Sequence, residues 1–375
     1  MRIGIITLSA SDNCGSLLQC YALKQILSQY GETEIINFSS WQSHLVYDIF
    51  PKGMRVKKKL KRLPYYTRLL RAKKDYDNFR LKHMEISGKE YFAEDLYEIA
   101  DKYDIVVTGS DQVWNVQMGD FDEAFFLGWT QSKKVAYAPS LGGRHINQSP
   151  DFEKIRGWIE EIQYLSVREE QGKKCLEEVT GRRVNKVLDP TLVLDEKKWL
   201  TLVQEPLVKG EYIFYYSWAY CEESTSRIVS EEAKRMGVPV YVIDARKWVR
   251  KDPEKWGFKL FKSTGPTVFL NLMRYAKRCY VESFHGMIFA YIFRKNFWLL
   301  DIGENLSELD SRLLEIVNLL GMEQRVITKY NVMNIDQSKE IVYSENLPLK
   351  EMQQSSRTFL GQIFEGEESE NKMSV

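Results

Sequence analysis

The sequence predicts an α/β protein of two domains, each a parallel sheet flanked by helices, facing one another across a cleft. Three observations carry that prediction. The chain has 375 residues, beyond the roughly 250–300 at which a single core stops growing. Strand-like and helix-like segments alternate, as βαβ units require. The alternation also runs twice, with a joint near residues 197–209.

The first series opens on "RIGIITL", apolar enough for a buried strand. "GSLLQCYALKQILSQYG" follows, with Leu17, Leu18, Tyr21, Ala22, Leu23 and Ile26 at helical spacing and Gly31 to stop it. "TEIINF" is a second strand, and "YDIVVTGS", "KKVAYAPSLG" and "QYLSVRE" are short apolar runs ending in turn residues. The second series begins after "VNKVLDPTLVLD", which contains Asp189-Pro190. There "EYIFYYSWA" and "VPVYVIDA" read as strands separated by a polar helical stretch, residues 222–236. "PTVFLNLMRYAKRC" reads as a helix, "YVES" as a strand, "GMIFAYIFRK" as a buried helix, "NFWLLDI" as a strand and "LSELDSRLLEIVNLLG" as an amphipathic helix. Two Rossmann-like domains result, residues 1–200 and 201–345. Residues 346–375 are read as a closing helix, "PLKEMQQSSRTFLGQIF", and a disordered acidic tail.

Composition narrows the function classes. Hydrophobic residues at 44% and charged residues at 28% are ordinary for a globular chain. A formal charge of +1 gives no global attraction to nucleic acid. Cys14, Cys20, Cys175, Cys221 and Cys279 are odd in number and form no CxxC pair, so reduced thiols in a cytoplasmic protein are expected. No cluster with metal-ligand spacing occurs, so no metal is expected. The N-terminus lacks a cleavage pattern and no apolar run approaches 18 residues, so no membrane span is expected. One segment departs from the average. Residues 52–74, "KGMRVKKKLKRLPYYTRLLRAKK", carry eleven basic and no acidic residues among leucines and tyrosines. Such a segment is either a solvated helical excursion or a contact for a membrane surface or polyanion.

In open α/β sheets ligands sit beyond the carboxyl ends of the strands, and four stretches fall there. His285 follows "YVES" and opens the next helix. A helix start offers N–H groups and positive potential to a phosphate or carboxylate. Ser283 suits the N-cap, and Gly286 would let an anion approach the backbone. His285 would add a proton or hydrogen bond there, or merely cap the helix or fill a gap. Arg168, ending "YLSVR", would present a bidentate fork to an anion, unless it is an ordinary surface arginine. In "TGSDQVWN", Ser110, Asp111, Gln112 and Asn115 suit sugar hydroxyls and Trp114 a sugar's C–H face. Asp111 is the natural general base, or else only shapes an Asx-turn. In "SASDNCGS", Asn13 and Gly15 could line a small anion- or hydroxyl-binding loop that is neither GxGxxG nor GxxxxGK[ST].

Together and in order, "DNCGSLLQCYAL", "GSDQVWN", "SVREEQG", "LDPTLVL" and "ESFHGMIFAYIF" resemble the polysaccharide pyruvyl transferase family, across most of the chain. The resemblance implies a glycosyltransferase-B-like architecture, with residues 1–200 binding the acceptor and 201–345 the donor. It implies transfer of the pyruvyl group of phosphoenolpyruvate onto two hydroxyls of a sugar in a bacterial surface glycan or its lipid-linked precursor. A cyclic ketal forms and phosphate leaves, without a cofactor or metal and without nucleic acid. On this reading Arg168, Ser283, His285 and Gly286 bind the donor, and positive potential is concentrated around it. Asn13, Gly15, Ser110, Gln112, Trp114 and Asn115 bind the acceptor. His285 is the catalytic acid and Asp111 the base. Some relatives have an arginine where this chain has Ser283, which leaves Arg168, Arg144 or Arg278 to supply charge. An undecaprenyl-diphosphate-linked acceptor would place the enzyme at the inner face of the plasma membrane, with residues 52–74 as a peripheral contact.

Two rival readings remain at this stage. A nucleotide-sugar-dependent glycosyltransferase of the same fold would use Asp244 or Glu282 at a ribose. A non-catalytic glycan-binding protein would use Trp114, Trp129 and Trp218.

Overall fold

The computed structural model describes residues 1–375 apart from 87, 144, 218–222, 244–252, 302–310, 329, 333 and 373–375. Arg144, Trp218, Cys221 and Asp244 therefore lie outside the described residues. Two six-stranded sheets, parallel throughout, organise the chain. The first holds β1 (Arg2–Ile6), β2 (Glu32–Ile35), β3 (Ile105–Thr108), β4 (Lys133–Ala136), β5 (Tyr164–Val167) and β6 (Asn185–Lys186). The second holds β7 (Ile213–Tyr216), β8 (Val240–Val242), β9 (Phe258–Leu260), β10 (Arg278–Val281), β11 (Phe297–Leu300) and β12 (Val326–Ile327). Parallel sheets are covered on both faces, so their central strands are continuous apolar runs; Ile105, Val106 and Val107 are wholly buried. The chain thus folds as two Rossmann-like domains facing across a cleft. β6, β9 and β12 were not anticipated, because edge strands of two or three residues carry too little pattern to read.

Strand order fixes where ligands can bind. The first sheet runs β2-β1-β3-β4-β5-β6 and the second β12-β11-β10-β7-β8-β9. Each order reverses once, between β1 and β3 and between β7 and β10. At such switch points the connections diverge to opposite faces and leave a crevice beyond the strands' carboxyl ends.

The two domains share apolar packing. Helix α1 (Cys14–Leu27) has every residue but Gln25 buried, so its sequence is apolar on most faces rather than along one stripe. One core cluster extends from Ile3 and Leu17 through Trp199, Phe269 and Phe289 to Phe359 and Phe364. Trp199, within the joint, packs edge-on against Phe289 at 4.9 Å and tilts over Tyr21 at 5.7 Å. The helix Leu347–Lys372 returns to the first domain. Phe364 stacks on Tyr30 at 4.4 Å, Ile363 O accepts from Lys133 Nζ, and Ser356 Oγ accepts from Leu188 N. That helix continues through the acidic residues read as disordered. Once its packed turns have nucleated it, each added residue costs little.

Between β2 and β3 the chain makes an excursion containing α2 (Trp41–Tyr47), α3 (Val56–Arg62) and α4 (Tyr66–Phe79). α4 reaches the second domain, where Asp75 accepts from Ser263 Oγ at 2.6 Å and Thr264 N at 2.9 Å. Just beyond α4, Arg80 donates to Ser9 O, Ala10 O, Ser11 O and Asp12 Oδ1. The excursion thus holds the loop after β1 in place.

Candidate active site

The two switch points open onto one cavity of about 380 Å³. Asn13, Gly15, Asp111 and Gln112 line it from the first domain, and Tyr216, Glu282, Ser283 and His285 from the second. Arg168 and Arg312 lie at its inner side, which they share with a smaller cavity of about 180 Å³.

Asn13 caps α1, its Oδ1 accepting from Gly15 N at 2.8 Å and Ser16 N at 3.4 Å. Ser16 Oγ, in the first turn, donates to Asp111 Oδ2 at 2.7 Å and so joins α1 to the loop after β3. Asp111 has φ +66°, a left-handed conformation uncommon outside glycine, and is 7% exposed. Asp120 lies on the same wall and accepts from Tyr47 Oη at 3.1 Å. Burial pushes the Asp120 carboxyl up and neighbouring Asp111 adds to the rise, while the Tyr47 hydroxyl opposes it. Two carboxylates of unlike environment can divide acid and base roles.

The centre of the site is Asp189, which is wholly buried. Its Oδ1 caps the short helix Pro190–Val193, accepting from Thr191 N and Oγ1. Its Oδ2 receives Arg168 Nη1 at 2.7 Å, with Ser110 Oγ at 3.2 Å and His285 Nε2 at 3.4 Å. Residues from both domains thus converge on one oxygen. Burial works against the charge, but His285 and Arg168 hold the Asp189 carboxyl well below the usual carboxylate range. Glu169, which accepts from Arg168 Nε at 3.1 Å, is pushed up by its burial, with Arg168 opposing. Asp189 is therefore the ionised partner of Arg168.

Arg168 stacks over Phe284 at 4.1 Å. Its remaining nitrogen, Nη2, is buried with no hydrogen-bond partner among the described residues. A buried guanidinium N–H left unpaired is costly, and an anionic ligand would satisfy it. His285 heads the helix Phe284–Ile292 and rests against the start of α1. A Cβ added to Gly15 would lie 2.4 Å from His285 Nδ1, so glycine there is what lets the ring come in.

The residues read from sequence divide into two groups. Asn13, Gly15, Asp111, Gln112, Arg168, Ser283 and His285 are brought together, with Ser110 immediately behind at Asp189. Ser283 caps the helix, accepting from Gly286 N at 3.1 Å. That bond occupies the Gly286 N–H. A Cβ on Gly286 would meet Ser283 Oγ at 2.8 Å and Tyr216 and Val281 at 3.2 Å. Gly286 is thus a packing glycine rather than an anion contact. Trp114 is also corrected. It is wholly buried, donates Nε1–H to Phe125 O at 3.1 Å and stacks near Phe126, so it presents no face to a sugar. Trp129 is buried as well. Asn115 does not line the cavity; its Nδ2 donates to Gln112 Oε1 at 2.9 Å and steadies Gln112. Arg278 begins β10, at the end away from the cavity, and pairs with Glu232. The expected concentration of positive charge is tempered too, since Asp189 offsets Arg168 and Asp111 and Asp120 face the same space.

Sequence reasoning missed Tyr47, Asp120, Asp189, Tyr216 and Arg312. Asp189 carried a signal, an Asp-Pro turn beyond a short strand. Tyr216 carried one too, as the last residue of β7, a strand read from sequence, whereas Asp120 sits in a loop and Tyr47 and Arg312 on helices with no local mark.

Comparison with known proteins completes the picture. A family model described as polysaccharide pyruvyl transferase matches residues 13–304. The chain belongs to that family. Membership identifies a transferase of polysaccharide synthesis, and the matched span includes every cavity residue named above except Arg312. No curated protein matches the sequence. Among solved structures the chain is similar to the UDP-GlcNAc 2-epimerase of Methanocaldococcus jannaschii, with 12% identity, 96% of this chain and 98% of that one covered, and a TM-score of 0.50. It is also similar to the UDP-GlcNAc 2-epimerase of Neisseria meningitidis bound to UDP-GlcNAc, with 11% identity, 97% and 100% covered, and a TM-score of 0.51. At that identity the likeness is one of fold, the glycosyltransferase-B-like arrangement. Among the described residues no helix is long and apolar enough to cross a membrane.

Proposed function

We propose that this family member moves the pyruvyl group of phosphoenolpyruvate onto two hydroxyls of one sugar, in a bacterial surface glycan or its lipid-linked precursor. A cyclic ketal forms and phosphate leaves. The observation that carries the reading is the convergence of Arg168 and His285, from different domains, on Asp189 beside the cavity that Asp111 lines. The unpaired Arg168 Nη2, with Arg312 nearby, suits an anionic donor.

His285, oriented by Asp189 through Nε2, gives a proton to the enol methylene carbon, C3. An oxocarbenium-like centre develops at C2. The first sugar hydroxyl bonds to C2 as Asp111 takes its proton. The second hydroxyl then bonds to C2 while the C2–O bond to phosphate breaks. Of the two hydroxyl protons released, one makes good the proton given to C3 and the other leaves with phosphate. Holding two neighbouring hydroxyls against one carbon is an orientational gain, worth at best roughly 7–11 kcal/mol.

The test is mass spectrometry of candidate glycans incubated with the protein and phosphoenolpyruvate, with phosphate measured in parallel. A ketal-linked pyruvate and stoichiometric phosphate are expected. Calorimetric binding of a UDP- or GDP-sugar, with no heat from phosphoenolpyruvate, would overturn the proposal in favour of a glycosyltransferase, with Glu282 as the acidic group lining the cavity.

Gly15→Ala supplies a sharper check on His285. The added methyl group must displace the ring, and a shift on the order of 1 Å can lower turnover about 10²-fold. Alanine should not weaken α1, since it gains up to about 1 kcal/mol in helix propensity. Lost turnover with an unchanged melting temperature is the expected result; unchanged turnover would remove the His285–Gly15 contact from the mechanism.

A further inference from the structure

We propose that α2, α3 and the start of α4 form a docking face for an anionic lipid bilayer, set beside the mouth of the cavity. α3 raises the question. It is seven residues long and buries none of them. It runs on through the turn Leu63–Tyr65 into α4, whose buried Leu69, Ala72 and Phe79 anchor the whole helical stretch, so the fold does not need α3 to expose an apolar face. Yet Val56, Leu60 and Leu63 are 70%, 59% and 54% exposed, spaced i, i+4, i+7 along one face. Leu70, in α4, extends the apolar set at 45% exposed. Around this stripe lie Lys57, Lys58, Lys59 and Lys61, none of which forms an ion pair with another described residue.

α2 belongs to the same face. Leu45 and Val46 are 57% and 47% exposed. Phe50 stacks near Tyr66 at 5.8 Å, and Ile49 packs with Tyr65 against Leu69 and Ala72, which ties α2 to α4. Tyr47, the next residue after Val46, turns inward to donate to Asp120 in the cavity wall. One short helix therefore has its apolar side outside and a cavity residue inside.

Charge and apolarity together select the occupant. A nucleic acid would use the lysines but gain nothing from the aliphatic stripe. A second copy of the chain would set the lysines of α3 against the same lysines. A bilayer with acidic headgroups satisfies both, taking the stripe into the acyl boundary while the lysines meet the headgroups. This inference does not depend on the chemistry proposed for the cavity.

The experiment is co-sedimentation of the full chain with vesicles of phosphatidylcholine alone or mixed with phosphatidylglycerol. Binding to the mixed vesicles only, and weakening with salt, is expected. Each lysine near such a surface contributes roughly fivefold at low ionic strength, so K57Q/K58Q/K59Q/K61Q should weaken binding by at least about 10²-fold. V56S/L60S, which leaves every charge in place, should also release the protein. Both variants alter exposed residues and should melt as the parent does. Failure of the parent to bind mixed vesicles would overturn the proposal. So would equal binding by V56S/L60S, especially with heparin retained by that variant, since a polyanion contact would then suffice. A concentration-dependent dimer abolished by V56S/L60S would overturn it in favour of self-association. Phosphate release on a short dissolved acceptor, read in the same samples, reports separately on the cavity.

Discussion

Replacing His285 with alanine is expected to lower phosphate release from phosphoenolpyruvate by about 10²–10⁴-fold, the usual contribution of a positioned general acid. The side chain's hydrogen bonding within the described residues is limited to Asp189, at 3.4 Å, long for a strong bond. Folding should therefore change little, by about 1 kcal/mol. His285→Gln separates shape from proton transfer, since glutamine can hydrogen-bond to Asp189 but does not titrate. Both variants should be inactive and folded, as read by phosphate release and thermal melting. Near-normal turnover by either would end the assignment of His285 as the acid.

Asp189→Asn should damage both folding and catalysis. Without the carboxylate, Arg168 is left buried beside Glu169, which its own burial pushes toward the neutral form. Breaking a buried pair from one side costs roughly 3–5 kcal/mol. The pH dependence follows from the depressed pKa of Asp189, which, against the opposing effect of burial, His285 and Arg168 hold down in the fold. A carboxyl whose folded pKa is lowered stabilises fully above its unfolded value, about 3.9. That stability is lost as pH falls through the folded value. The gap between the parent and Asp189→Asn in chemical denaturation should thus be flat from about pH 5 upward and narrow below about pH 4. Turnover should fall further than stability alone explains, because His285 loses the group that orients it. A variant with the parent's unfolding midpoint would mean that the Arg168–Asp189 pair contributes nothing.

How much of this was legible in the sequence depends on the range of each interaction. Strand periodicity and the rule that ligands sit beyond strand ends were enough to select Asp111, Arg168 and His285. Ser283 as N-cap is likewise local, three residues from the N–H it accepts. Trp114 was misread because an indole among polar residues looks the same whether it faces solvent or turns back on Phe125 and Phe126. Gly286 was misread because a glycine at a helix start can serve an anion or a close packing contact, and only Ser283, Tyr216 and Val281 around it decide. Asp189 meets His285 across 96 positions of sequence and Ser110 across 79. Nothing near Asp189 in the chain announces either partner.

The sequence by itself determined the two alternating series, the α/β class, the family and the strand ends at which chemistry can sit, because each depends on neighbours a few residues apart. The tertiary structure alone decided that both switch points share one cavity and that Asp189 holds Arg168 and His285 together. It also decided that Tyr47 and Asp120 join Asp111 on one wall. The physical reason is that charge pairing, burial and the resulting acidity act through space, and no periodicity along the chain encodes which distant side chains will meet.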